Sequence, residues 1–301
     1  MKNWTADNIP DLSNKRVLIT GANSGIGFET SVVLAKKRAH LIMACRNQQK
    51  AEEAEKKIID IVPDAKITLV TLDLADLDSV RQCADVVLKS HQKLDVLINN
   101  AGVMATPYST TKQGFEIQLG SNYLGHYALT GLLLPLLKST PGSRIVSLSS
   151  SAANFAQIDF ADILTERKKY KPYEAYGQAK LANLVFALEL ARKLEASGSK
   201  TISVAVHPGV SPTNLQRTSG FLIGKIITPL ISQPADKAAL ASLLAATDPM
   251  VKNGTYWAPS GFMHVKGSPG AASIPKQAKD LNTASRLWKV AEDLTGVKYK
   301  F

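Results

Sequence analysis

The chain has 301 residues, 45% of them hydrophobic, and a formal net charge of +11 at pH 7. That is enough apolar material for a large buried core, while no segment reaches the roughly 18 uninterrupted apolar residues of a membrane span, and Met1 to Pro10 reads as neither a signal peptide nor an anchor. The positive charge suits an anionic partner such as acidic lipid or a phosphorylated cofactor, with nucleic acid the weakest option because Lys and Arg are not interleaved with aromatics. Two cysteines, Cys45 in a predicted strand and Cys83 in a predicted helix, and five scattered histidines point to a reduced, cytoplasmic compartment and no metal site. No linker or repeat divides the chain, so one domain is expected over 1–301.

Arg16 to Thr20 is a short β-branched run that predicts a strand, followed by Gly21, Gly25 and Gly27 and a helical pattern through Ile26, Thr30, Val33 and Leu34. In that context glycines let the backbone approach a pyrophosphate seated on the helix N-terminus; a purely structural turn is the alternative. The next strand, His40 to Ala44, ends in Cys45-Arg46-Asn47. In such a fold the group after the second strand meets the adenosine ribose, where an acid would bond a free 2′-hydroxyl. Arg46 stands there instead, and its guanidinium fork predicts NADP(H), preferred over NAD(H). A solvated arginine at a strand end is the plainer reading.

Gln48 to Ile61 reads as a charged amphipathic helix and Lys66 to Thr71 as a third strand ending at Asp73-Leu74. Asp73 is placed to bond an adenine amine, to cap the helix predicted from Leu77 to His91, or both. Leu94 to Ile98 has the continuous apolar character of a parallel strand buried on both faces and ends in Asn99-Asn100-Ala101-Gly102, whose small residues permit close backbone approach. Tyr108 and Lys112 lie among Thr, Ser and Pro without a helical period and belong to a loop. A long helix from about Phe115 to Leu137 carries Asn122, placed to bridge backbone groups across a kink or to hold a water.

The strand Arg144 to Leu148 ends in Ser149, Ser150 and Ser151, and Ala152 to Pro172 is too polar and irregular for core. A helix follows with Leu181, Leu184, Val185 and Leu188 on its apolar face, and the spacing of Tyr176 and Lys180 puts phenol and ammonium on one side of it. A sixth strand, Thr201 to Val206, ends in His207-Pro208-Gly209, with Thr213 beyond. The apolar segment of about 211–232 fits a lid over a lipophilic substrate, a buried helix or dimer contact, or a peripheral membrane contact. Gly254 to Gly261 reads as a final strand and turn, and a C-terminal extension of about 271–301 adds a helix around Leu281 to Leu294. Strands alternating with helices predict an α/β fold: one doubly wound, Rossmann-type parallel sheet with helices on both faces and its ligand outside the carboxyl ends of the strands.

Six pieces in this order make the sequence resemble the short-chain dehydrogenase/reductase family over nearly its whole length: Thr20-Gly-Ala-Asn-Ser-Gly-Ile-Gly27, Asn99-Asn-Ala-Gly102, Asn122, the serine after the fifth strand, Tyr176-x-x-x-Lys180, and Pro208-Gly209 with Thr213. Ala44-Cys-Arg-Asn47, the long Ser-to-Tyr insertion, Lys180-Leu-Ala-Asn183 and Arg286-Leu-Trp288 to Gly296 are similar to the retinol-dehydrogenase-like and WW-domain-oxidoreductase-like reductases. The resemblance selects Ser150 from the three serines and implies alcohol–carbonyl oxidoreduction. In it Tyr176 is the general acid/base, Ser150 holds the substrate oxygen, Lys180 favours the phenolate and fastens the nicotinamide ribose, and Asn122 holds a relay water. It implies cofactor contacts from Gly21, Asn23, Ser24, Gly25, Ile26, Gly27, Arg46, Asn47, Asp73, Leu74, Asn100, Ala101, Gly102, Tyr176, Lys180, Pro208, Gly209 and Thr213, and a homo-oligomer built on the two long helices. An NADPH-binding regulatory protein without turnover is the competing class; the complete set of Asn122, Ser150, Tyr176 and Lys180 argues against it, because binding alone needs no proton donor.

Overall fold

The computed structural model describes residues 4–209 and 233–301. The chain alternates β1 (Arg16–Thr20), α1 (Gly25–Lys36), β2 (His40–Cys45), α2 (Gln48–Ile61), β3 (Lys66–Thr71), α3 (Leu77–Ser90) and β4 (Val96–Asn99). A short α4 (Ile117–Leu119) and a π-turn (Gly120–Leu124) lead into α5 (Gly125–Ser139), then β5 (Arg144–Leu148), α6 (Pro172–Ala196) and β6 (Ile202–Val206). Beyond residue 233 come α7 (Ala235–Thr247), β7 (Tyr256–Pro259), β8 (Pro269–Ala271) and α8 (Leu281–Thr295). These strands form one eight-stranded sheet in the order β3-β2-β1-β4-β5-β6-β7-β8, parallel throughout except where β8 pairs antiparallel to β7. The order reverses between β1 and β4, the place where an open α/β sheet leaves a crevice at its carboxyl edge.

The apolar runs are strands because both faces of the sheet are covered. Leu18, Leu97 and Ile145 point into the layer of α3, α5 and α6, whereas their neighbours Ile19, Ile98 and Val146 point into the layer of α1 and α7. The helices meet the sheet by ordinary amphipathic spacing: α3 buries Leu77, Val80, Cys83, Ala84 and Val87. Its cap corrects one expectation. Asp76, not Asp73, accepts from a first-turn amide at 2.9 Å, while Asp73 turns back to accept from Ala75 N. The segment after β5 corrects another, since Ile158, Phe160, Ile163 and Leu164 pack against the core from irregular backbone.

The long helix predicted over 115–137 is broken by the π-turn, in which Gly125 N–H donates to Gly120 O. Asn122 lies in that wide turn and clamps the strand-end loop, its Oδ1 accepting from Val103 N at 2.8 Å and its Nδ2 donating to Val103 O at 2.9 Å. Its side chain thus bridges to the backbone of the loop after β4. Tyr108 and Lys112 are in a loop as expected, Lys112 pairing with Asp76 and Asp78.

The C-terminal segment lies across α5 and α6, the helices on which contacts between copies were expected. Tyr299 packs among Tyr127, Trp288 and Phe186, and its hydroxyl donates to Tyr127 O at 2.6 Å. α8 is capped by Asp280 at its start and ended by Gly296 at φ +68, a left-handed conformation that favours glycine.

Two buried histidines make the fold sensitive to acid. Burial lowers both His126 and His207 from 6.5 to about 4, with Lys180 adding to the effect on each. Because the unfolded chain takes up these protons first, stability is complete above pH 6.5 and falls as the pH drops from 6.5 towards 4, by roughly 3 kcal/mol for each histidine. Thermal melts at a series of pH values check this; a Tm unchanged across that interval would contradict it.

Candidate active site

A cleft of about 530 Å³ opens at the carboxyl edge of the sheet where the strand order reverses. Gly21 to Gly27, the ends of β2 and β3, Asn100 to Thr106, Leu148 to Ser151, Tyr176, Lys180, Pro208 and Gly209 line it. Of the residues expected at the site, Asn122 stands behind the lining, and Thr213, with the segment 211–232, lies outside the described residues.

One end of the cleft is the glycine turn. Gly21 and Gly25 have φ of +65 and +54, and a Cβ at Gly27 would come within 2.3 Å of Gly21 O and 2.6 Å of Asn100 Nδ2. That closeness lets Asn100 Nδ2 donate to Thr20 O at 2.8 Å and tie the turn after β4 to the turn after β1. Ser24, at the N-cap of α1, makes no side-chain cap bond, so this side chain does not block the helix end as an anion site. Cys45 braces the turn from β2: its sulfur accepts from the amides of Ala22 and Asn23, and burial pushes its thiol up to about 11. Arg46 and Lys50 project from the end of β2 and the first turn of α2, both exposed and without an ion-pair partner among the described residues. The glycine cradle and open helix end suit the pyrophosphate of a dinucleotide, with the two cations beside them.

At the other end, Tyr176 and Lys180 sit one helical turn apart and are buried, at 8% and 4% exposure. The ammonium lies 5.8 Å from the centroid of the phenol ring and donates to Leu148 O at 3.1 Å. Asn183, a further turn along α6, donates to the same carbonyl at 3.0 Å. A Cβ at Gly102 would be 3.5 Å from Lys180 Nζ and 2.9 Å from Asn122 Oδ1, so this glycine is what lets the β4 loop approach the lysine. Two of the serines differ in role: Ser149 Oγ donates to Lys180 O at 2.8 Å, whereas Ser150 lies beside the Tyr176 hydroxyl and pulls its pKa down. Burial pushes the Tyr176 phenol up to about 12, with the Ser150 bond pulling the other way, and lowers Lys180 to about 8.

Lys50, Val103, Met104, Thr106 and Ser121 also line the cleft, and sequence reasoning passed over them. Lys50 had a usable signal, a second cation four residues after Arg46, although a helix start intervenes. The stretch from Val103 to Thr106 had none, because its shape comes from distant residues: Gln118 Oε1 accepts from Ala105 N at 2.7 Å, and the Tyr170 hydroxyl donates to Thr106 O at 3.1 Å.

Residues 15–220 match the family model described as short chain dehydrogenase, and the chain belongs to that family of oxidoreductases, which use a nicotinamide cofactor. Among curated relatives it is 39% identical to "Retinol dehydrogenase 13" of Mus musculus over 295 residues, covering 95% of this chain and 85% of that one. It is likewise 39% identical to "Retinol dehydrogenase 11" of Homo sapiens over 289 residues, covering 95% and 87%. A crystal structure of an uncharacterized protein from Mycobacterium Paratuberculosis superposes with a TM-score of 0.85 at 38% identity, covering all of both chains. A short chain dehydrogenase from Shigella flexneri complexed with NADP shares the fold, with a TM-score of 0.65 at 21% identity over 83% of this chain and 98% of that one.

Proposed function

We propose that this chain is an NADP(H)-dependent enzyme that interconverts an alcohol and an aldehyde or ketone, with Tyr176 as general acid/base and a lipophilic carbonyl compound as substrate. The observation that carries the reading is the convergence, in one cleft, of a glycine turn beside two cations with buried Tyr176 and Lys180 and the half-buried Ser150. When bound, the nicotinamide supplies or accepts the hydride. Gly21 to Gly27 and the α1 N-terminus hold the pyrophosphate, Arg46 and Lys50 the 2′-phosphate, and Lys180 the nicotinamide ribose. Ser150 orients the substrate oxygen and Tyr176 moves its proton. Because burial keeps the phenol protonated at neutral pH, its resting state is the donor that carbonyl reduction requires. For alcohol oxidation the same hydroxyl has to lose its proton first, which the nearby ammonium favours. The chain 1–301 acts in this reading as one NADP-binding unit.

Cofactor titrations test the phosphate assignment. Arg46→Ala is expected to weaken NADPH binding by about tenfold and leave NADH binding within about twofold, since one charge-assisted contact is lost. Lys50→Ala should shift the same ratio by a smaller factor, and the double variant should lose the preference. An NADPH:NADH ratio unchanged in the double variant would remove the 2′-phosphate reading.

A further inference from the structure

His126 lies outside the lining of the cleft, is 2% exposed, and bonds through both ring nitrogens. Its Nδ1 is 2.9 Å from the backbone carbonyl of Asn122, a group that can only accept, so Nδ1 carries the hydrogen. The ring is neutral, because burial and the Lys180 ammonium disfavour a second proton. Nε2 is therefore bare, and it accepts from the Thr20 hydroxyl 2.9 Å away. With that hydrogen committed, both lone pairs of Thr20 Oγ1 are free for the two amides that reach it, Asn100 N and Ala101 N, each at 2.9 Å. Every donor and acceptor in the chain is used once: Nδ1–H to carbonyl, hydroxyl to Nε2, and two amides to hydroxyl. The alternative outlet for the Thr20 hydrogen, Ile98 O, is at 3.5 Å and a poor competitor.

We propose that His126 is a positioning residue: through Thr20 it sets the turn Asn100 to Gly102 against the π-turn of Asn122, and so fixes the wall of the cleft between the glycine turn and Lys180. The two ties are complementary. Asn122 holds Val103 by its side chain, and its backbone carbonyl is linked through His126 and then Thr20 to Asn100 and Ala101. His126 reaches the carbonyl of Asn122, four residues back and within the π-turn, with its side chain. The inference deepens the cofactor reading and rests on it for its effect on NADPH, but the hydrogen-bond chain itself exists without cofactor.

The test begins with amide hydrogen exchange on the cofactor-free protein. Removing the link in His126→Leu or Thr20→Val should speed exchange at Asn100 and Ala101 by about tenfold relative to amides of the β5 end, while Thr20→Ser restores protection. The two substitutions should be strongly non-additive in the double variant, because each breaks the same chain. NADPH Kd should rise about fivefold in each. If His126→Leu fails to fold, the ring-nitrogen NMR spectrum of the native protein still decides: a protonated Nδ1 with a bare Nε2 supports the chain, and a protonated Nε2 overturns it. Exchange at Asn100 and Ala101 that rises no more than elsewhere in His126→Leu, or additive effects, would overturn it too. Loss of protection in the variants, together with no NADPH binding by the native protein, would uphold the His126 link and sink the cofactor reading alone.

Discussion

Tyr176→Phe is expected to lower carbonyl turnover by about 10³-fold and to leave NADPH affinity within about threefold. The substitution deletes one hydroxyl from a ring that is already buried, so packing is kept and only the proton and the Ser150 bond are lost. Lys180 keeps its bond to Leu148 O and remains available to a ribose. Steady-state rates with a good substrate, read beside a cofactor titration, separate these effects; turnover within tenfold of the native enzyme would assign the proton to another group.

Gly27→Ala is the second large effect, and its cause is space, not backbone conformation. The new methyl would meet Gly21 O at 2.3 Å and Asn100 Nδ2 at 2.6 Å, and the first of these is backbone that must move. Overpacking of this kind costs about 1–3 kcal/mol, and the displaced turn is the one assigned to the pyrophosphate, so NADPH binding should weaken by about 100-fold or more. Gly142→Ala is the control: at φ +69 with nothing within 4 Å of its Cβ, it carries only conformational strain of about 1 kcal/mol and should leave NADPH affinity unchanged. Equal cofactor affinity in Gly27→Ala and the native protein would show that the turn does not receive the pyrophosphate.

Seven of the eight strands were readable because β-branched, continuous apolar runs have one use in a sheet covered on both faces. β8 was not, since Pro269-Gly270-Ala271 has no strand propensity and forms only because β7 offers it an edge. Asn122 stands out in the sequence as a polar residue in an apolar helix, and a π-turn is present where it lies. Of the uses open to Asp73, the helix cap falls instead to Asp76, because sequence chemistry alone does not separate two aspartates before the same helix. At the site, motif residues could be placed by their position after each strand, but the links that hold them could not. Thr20 and His126 are 106 residues apart and carry no local pattern, and the wall from Val103 to Thr106 is shaped by Gln118 and Tyr170 from other parts of the chain.

The proposed reaction is hydride transfer between NADP(H) and a carbonyl carbon in this cleft. The most direct measurement is to incubate the protein with NADPH deuterated at the transferable nicotinamide position and a panel of lipophilic aldehydes and ketones, and to weigh the products. At least one carbonyl should appear as the alcohol carrying a single deuterium on its carbinol carbon, with one NADP+ formed for each alcohol and no product from Tyr176→Phe. Tight NADPH binding with no deuterium delivered to any carbonyl would contradict it.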